Sequence, residues 1–139
     1  MDDRVTGGCL CASVEYSIQN DFRFLLFCHC EQCRQISGSA HASNLFSATD
    51  SLTWIKGKDL VKSFHHPKRD FTKAFCRQCG SGLPYISASG AMVIVPAGSL
   101  KAEPKVIKKA KVFLCERTSW TPSVSETAEF ENFPDYFDD

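Results

Sequence analysis

Phe27-Cys28-His29-Cys30-Glu31-Gln32-Cys33-Arg34 carries three thiols in the spacing C-x-C-x-x-C. Packing a core gives no reason for such a cluster, whereas metal binding does, because thiolate is a preferred protein ligand for zinc. Three protein ligands with an open fourth corner are the usual makeup of a catalytic zinc site. Two further pairs flank the trio, Cys9-Leu10-Cys11 ahead of it and Cys76-Arg77-Gln78-Cys79 behind it. Seven clustered thiols divide into four, enough to close one site, and three, which leave a second site open. Cys115 stands alone in an apolar run and is left out of the metal count.

The 139 residues fit one domain, 1–139, long enough to bury a core without crosslinks. A hydrophobic fraction of 43% and 11 Phe are those of a globular protein. Formal net charge is zero, a poor electrostatic footprint for nucleic acid or an anionic membrane, so neither is expected as a partner. A small neutral or zwitterionic molecule fits better. The start, Met1-Asp2-Asp3-Arg4-Val5, has no apolar segment behind a basic one, and no later run approaches membrane-spanning length, so the expected location is the cytoplasm. In that reducing compartment the cysteines are expected as metal ligands and free thiols, not disulfides.

Residues 11–18 alternate Val14, Tyr16 and Ile18 against Ser13, Glu15 and Ser17, the period of a half-buried strand, with Gly7-Gly8 as a flexible lead. Side chains two apart on an extended segment share a face, which lets Cys9 and Cys11 bind one metal. The apolar run 22–28 reads as a buried strand delivering Cys28 and Cys30 on a common face. Residues 34–40 read as a turn or a single helical turn bordering the open zinc position. Further strands are expected over 41–48, 52–56, 60–66, 71–76, 84–88, 92–97 and 106–114. No helical period is long enough for a βαβ crossover, which predicts a mainly β, antiparallel domain. The tail 121–139 has no regular element assigned, and its Phe130, Phe133, Tyr136 and Phe137 are expected to lie over the sheet.

Cys76-x-x-Cys79-Gly80 has the form of a zinc knuckle, with Gly80 able to take the positive φ of its exit. A thioredoxin-like dithiol would need an α/β context that is missing, and ferredoxin spacings are absent. Spacing alone leaves the partnership of the thiols open, since Cys30/Cys33 with Cys76/Cys79 would make a zinc ribbon. His29, between two thiols of a strand, faces away from them and takes a packing or hydrogen-bonding role. His41 follows the loop beside the trio and could approach the metal as fourth ligand or proton carrier. His65 and His66, before Pro67, read as solvated. Arg34 is a candidate for gripping a substrate carboxylate in a forked pair. The strip Lys101, Lys105, Lys108, Lys109, Lys111 reads as a solvated strand edge.

Several pieces together resemble the glutathione-dependent formaldehyde-activating enzyme family, whose relatives include centromere protein V. They are Gly8-Cys9-Leu10-Cys11, Cys28 to Arg34 with Ser37-Gly38-Ser39, Trp54 and Gly57, Phe75 to Ser81, Ala97-Gly98-Ser99-Leu100, and Trp120. The resemblance implies an Mss4-like fold of antiparallel β-sheets with zinc knuckles and two zinc ions per chain. It assigns Cys9, Cys11, Cys76 and Cys79 to a structural site and Cys28, Cys30 and Cys33 to a catalytic one. The chain departs from the family pattern at His41, where an aromatic residue is common, and at 126–130, where a Leu-Pro pair is common.

The activity implied is that of a carbon–sulfur lyase of the S-(hydroxymethyl)glutathione synthase kind, with a small thiol such as glutathione and an aldehyde as partners. Ser37 would serve as a donor to the aldehyde oxygen and Arg34 as the carboxylate grip. The alternative is a non-catalytic zinc-stabilised carrier or a protein- or nucleic-acid-binding module of the same fold.

Overall fold

The structure, a computed structural model, describes residues 3–138. In chain order the strands are β1 (Arg4–Gly8), β2 (Glu15–Gln19), β3 (Phe22–Cys28), β4 (Ala42–Ala48), β5 (Leu52–Lys56), β6 (Val61–His65), β7 (Thr72–Cys76), β8 (Gly82–Leu83), β9 (Tyr85–Ile86), β10 (Met92–Pro96) and β11 (Val106–Val112). A single α-helix among the described residues, α1 (Glu31–Ser37), follows β3. The strands form three sheets, in the orders β1-β2-β5, β11-β3-β4-β10-β9 and β6-β7-β8. The fold is mainly β, as the strand periodicity predicts.

The alternation on β2 decides the main core. Tyr16 and Ile18 are fully buried and pack with Phe22, Leu25, Leu45, Val93 and Val95. A smaller core joins Val14, Cys76 and Leu83, with Cys9, Cys79 and Trp54 packed against it. The second core is thus assembled from the flanking cysteine pairs themselves.

Several expectations are corrected. The first strand pair includes β1, so Gly7 is not a flexible lead: it pairs with Tyr16, and a Cβ there would lie 2.3 Å from the tyrosine hydroxyl and 2.6 Å from the Ser99 carbonyl. Gly7→Ala should therefore shift the buried Tyr16 ring and lower stability by about 1–3 kcal/mol, read as a fall in the urea midpoint; an unchanged midpoint would contradict this packing. The strand expected from residue 11 starts at Glu15, because Cys9 to Ser13 form a turn in which Ala12 takes φ 64°. The short segment 34–40 gives way to two turns of helix that begin earlier, at Glu31. Pairing is not wholly antiparallel, since β11 runs parallel to β3, with Val112 opposite Cys28. That last strand stops at Val112 because Phe113 turns into the left-handed region, φ 57°.

β11 is an edge strand, and Lys108, Lys109 and Lys111 are exposed along it, as a lysine-guarded edge requires. The tail forms 3-10 turns at Thr121–Glu126 and Asp135–Asp138. Its aromatics do not cover the sheet: Phe130, Phe133 and Tyr136 are 54%, 73% and 70% exposed. The side chain of Phe137, like Met1 and Asp2, lies outside the described residues. No helix among the described residues is long and apolar enough to cross a membrane.

Candidate metal centres

The turn after β1 and the turn after β7 bring four thiols together. Cys9, Cys11, Cys76 and Cys79 lie with their sulfurs all within 4.8 Å of one another. Cys9 and Cys11 are 3.6 Å apart and Cys11 and Cys76 3.8 Å. A tetrahedral zinc with bonds near 2.3 Å sets its sulfurs roughly 3.8 Å apart, so the donor set fits the metal. The knuckle closes as its sequence demands: the Gly80 amide donates to the Cys76 carbonyl at 2.7 Å, and Gly80 takes φ 79°. The surroundings favour thiolate at two of the four, while Cys76 is shifted up. The Ser81 hydroxyl, 3.2 Å from the Cys79 sulfur, holds that thiol down to about 5, and Ser13 lowers Cys11. The Val14 amide also donates to the Cys9 sulfur at 3.3 Å.

The second cluster is local. β3 ends at Cys28, the chain stays extended through Cys30, φ −67° and ψ 155°, and α1 starts at Glu31. Cys28 and Cys30 therefore share a face, with sulfurs 3.4 Å apart. Cys30 caps α1, its sulfur accepting the Cys33 amide at 3.4 Å, and the first helical turn swings Cys33 back toward it. Sequence reading missed this cap because thiols are not among the usual N-cap residues. The three sulfurs lie within 4.8 Å of one another, and among the described residues no fourth His, Cys, Asp or Glu joins them. They line a cleft of about 360 Å³ with Glu31, Gln32, Arg69, Phe113 and Glu116. A metal held by the trio would thus keep one side toward open space.

Of the residues expected beside this cluster, Cys115 lies exposed in a 3-10 turn and is not a member. His41 is not a member either: its ring packs edge-on against Phe27 at 5.3 Å and lies 5.0 Å from that of His29. His29 is 3% exposed, and among the described residues neither ring nitrogen has a hydrogen-bond partner. Its role is packing, without the hydrogen bond that the sequence also allowed, and burial followed by the charge of His41, Lys111 and Arg117 keeps its ring neutral. Ser37 sits a turn beyond Cys33 and donates to the Cys33 carbonyl at 2.6 Å. The Arg34 Nε is buried without a partner among the described residues. Neither Ser37 nor Arg34 lines the thiol cleft, and Arg69, which no motif singled out, does.

The two clusters differ in how firmly they hold protons. Burial pushes the thiols of Cys28 and Cys33 above the usual range, whereas in the four-thiol cluster Cys79 and Cys11 are lowered and Cys76 is raised. A metal must displace those protons, so acid competes sooner where the thiol pKa is raised. On lowering the pH, the trio should release its metal before the four-thiol site does, giving two separate steps with a chromogenic chelator. Release in one step, or in the opposite order, would contradict these environments.

Comparison with known proteins agrees with the geometry. No curated protein matches the chain. A crystal structure of a Rhodobacter sphaeroides protein shares the fold, with a TM-score of 0.59 at 19% identity, over 75% of this chain and 98% of that one. Residues 4–116 match the family described as glutathione-dependent formaldehyde-activating enzyme. That match spans both cysteine clusters and every strand from β1 to β11, and the chain belongs to the glutathione-dependent formaldehyde-activating enzyme family.

Proposed function

We propose that the protein is a zinc-dependent carbon–sulfur lyase-type enzyme that joins and separates a small thiol, glutathione or a relative, and formaldehyde or a related aldehyde. It carries two zinc ions, one structural at Cys9, Cys11, Cys76 and Cys79, and one catalytic at Cys28, Cys30 and Cys33. The observation that carries the reading is the incomplete donor set: three mutually close thiols on the wall of an open cleft, with no fourth His, Cys, Asp or Glu among the described residues to complete them. The family's printed description, glutathione-dependent formaldehyde-activating, supports the choice of thiol and aldehyde.

Zinc at the trio would supply a corner where a bound thiol is a thiolate at neutral pH. The chain's own residues do the rest. Cys28, Cys30 and Cys33 are fixed by the end of β3 and the cap of α1 and would hold the metal at the wall of the cleft. Glu31, Glu116 and Arg69 put both signs of charge on the cleft wall, which suits a zwitterionic thiol, and Phe113 adds an apolar rim. In the forward direction the thiol gives up its proton, its sulfur adds to the carbonyl carbon as the C=O π bond opens, and the resulting alkoxide oxygen takes up a proton, so the addition is proton-neutral. The reverse breaks the carbon–sulfur bond.

Enzyme at micromolar concentration should speed the exchange of ¹³C-formaldehyde with its glutathione adduct above the uncatalysed rate, seen as exchange broadening in NMR. No acceleration, with the trio fully metallated, would favour the carrier or binding-module reading.

A further inference from the structure

A second cavity, of about 600 Å³, opens at the other end of α1, where Ile36, Ser37, His41, Lys73, Asn44 and Lys101 contribute to its walls. Among the described residues, no acidic one lines it. Lys73, on β7, is partly buried there, and among the described residues its ammonium has neither an ion pair nor a hydrogen bond. Burial lowers its proton affinity, and only the charge of Cys33 opposes this. A Cβ on Gly82 would lie 2.6 Å from the Lys73 Nζ, so the glycine leaves room for the ammonium where it now sits. Withdrawing a cation from water without a counter-ion is unfavourable. A counter-ion that arrives with a ligand resolves the imbalance, and Asn44 and Lys101 also line the cavity as further donors.

The cavity borders the C-terminal end of the helix that carries Cys33. Cys33 and Ser37 are one helical turn apart on a shared face of α1, a rise of about 6 Å, and Ser37 lines the cavity. We propose that this cavity is a carboxylate-binding subsite in which Lys73 anchors the acid-bearing arm of the thiol whose sulfur meets the Cys28, Cys30, Cys33 cluster. The assignment rests on the thiol reading given above. It makes Lys73 a specificity-determining residue: it selects thiols that carry a carboxylate at a distance from the sulfur over simple ones.

S-methylglutathione, which keeps both carboxylates but cannot offer a thiol, separates the subsite from the metal. Calorimetry with the zinc-loaded protein should show it binding, with its diethyl ester at least about tenfold weaker, since charge-assisted hydrogen bonds carry that much. Lys73→Gln should lose about tenfold or more for S-methylglutathione, and Lys73→Arg should retain most of the affinity. Cysteamine, a thiol without a carboxylate, tests the parent reading separately: it should perturb the cobalt-substituted trio equally in the native protein and in Lys73→Gln, which also shows the variant to be folded. Failure of S-methylglutathione to bind, equal binding of the ester, or unchanged binding in Lys73→Gln would each overturn the subsite. Failure of cysteamine alone would overturn the thiol reading.

Discussion

Cys76→Ser is expected to unfold the domain. Its sulfur is fully buried at the centre of the smaller core, with Val14 and Leu83 around it and three partner thiols beside it. The partners come from segments more than 60 residues apart, since Cys11 and Cys76 are separated by 65 positions, so a shared metal closes a long loop and its binding free energy is folding free energy. Structural zinc contributes on the order of 10 kcal/mol, comparable with the entire stability of a domain, about 5–15 kcal/mol. Serine supplies no thiolate and leaves a buried hydroxyl. Circular dichroism should show loss of the cooperative thermal transition; a variant that melts like the native protein would remove the structural role of this site.

The opposite outcome is expected for Cys30→Ser. Its sulfur caps α1 and belongs to the trio, but serine is itself among the best N-caps, so the helix start is preserved. Only the three-donor site is broken. The variant should melt close to the native temperature, carry one zinc instead of two, and lose more than about 100-fold of the exchange rate. Retained activity with one zinc would place catalysis elsewhere; a collapse in stability equal to that of Cys76→Ser would erase the distinction between the sites.

The contrast shows where the sequence was legible. Period-two alternation at Val14, Tyr16 and Ile18 identifies a strand and its buried face, since one side of β2 packs on the core and the other does not. The match of β5 to the expected 52–56 has the same cause, with turn residues on both sides. β1 was hidden because its Val5-Thr6-Gly7-Gly8 carries little apolar pattern; it is specified by Tyr16, whose bulk only glycine at position 7 accommodates. The parallel partnership of β11 with β3 depends on long-range packing, and no local signal encodes it. The exposed aromatics of the tail misled for a related reason: composition says that they are apolar, not that a surface is available to cover them.

At the candidate site, the spacing of the cysteines found the two clusters, and the resemblance divided them as the structure does. What spacing could not give was the surroundings. Arg69 and Phe113 reach the thiol cleft from the loop after β6 and the turn after β11, and Lys73 reaches the neighbouring cavity from β7, so only the folded chain assembles them. Ser37 reads as a free donor in the sequence, yet its hydroxyl is engaged by the Cys33 carbonyl.

The claim on which the rest depends is that the metal at Cys28, Cys30 and Cys33 keeps a corner for an external thiol. Cobalt substitution at that site tests it most directly. The account predicts that glutathione will shift the ligand-field bands and add sulfur-to-cobalt charge-transfer intensity saturably, while the four-thiol site does not respond. Bands at the trio that stay unchanged at saturating glutathione would contradict it.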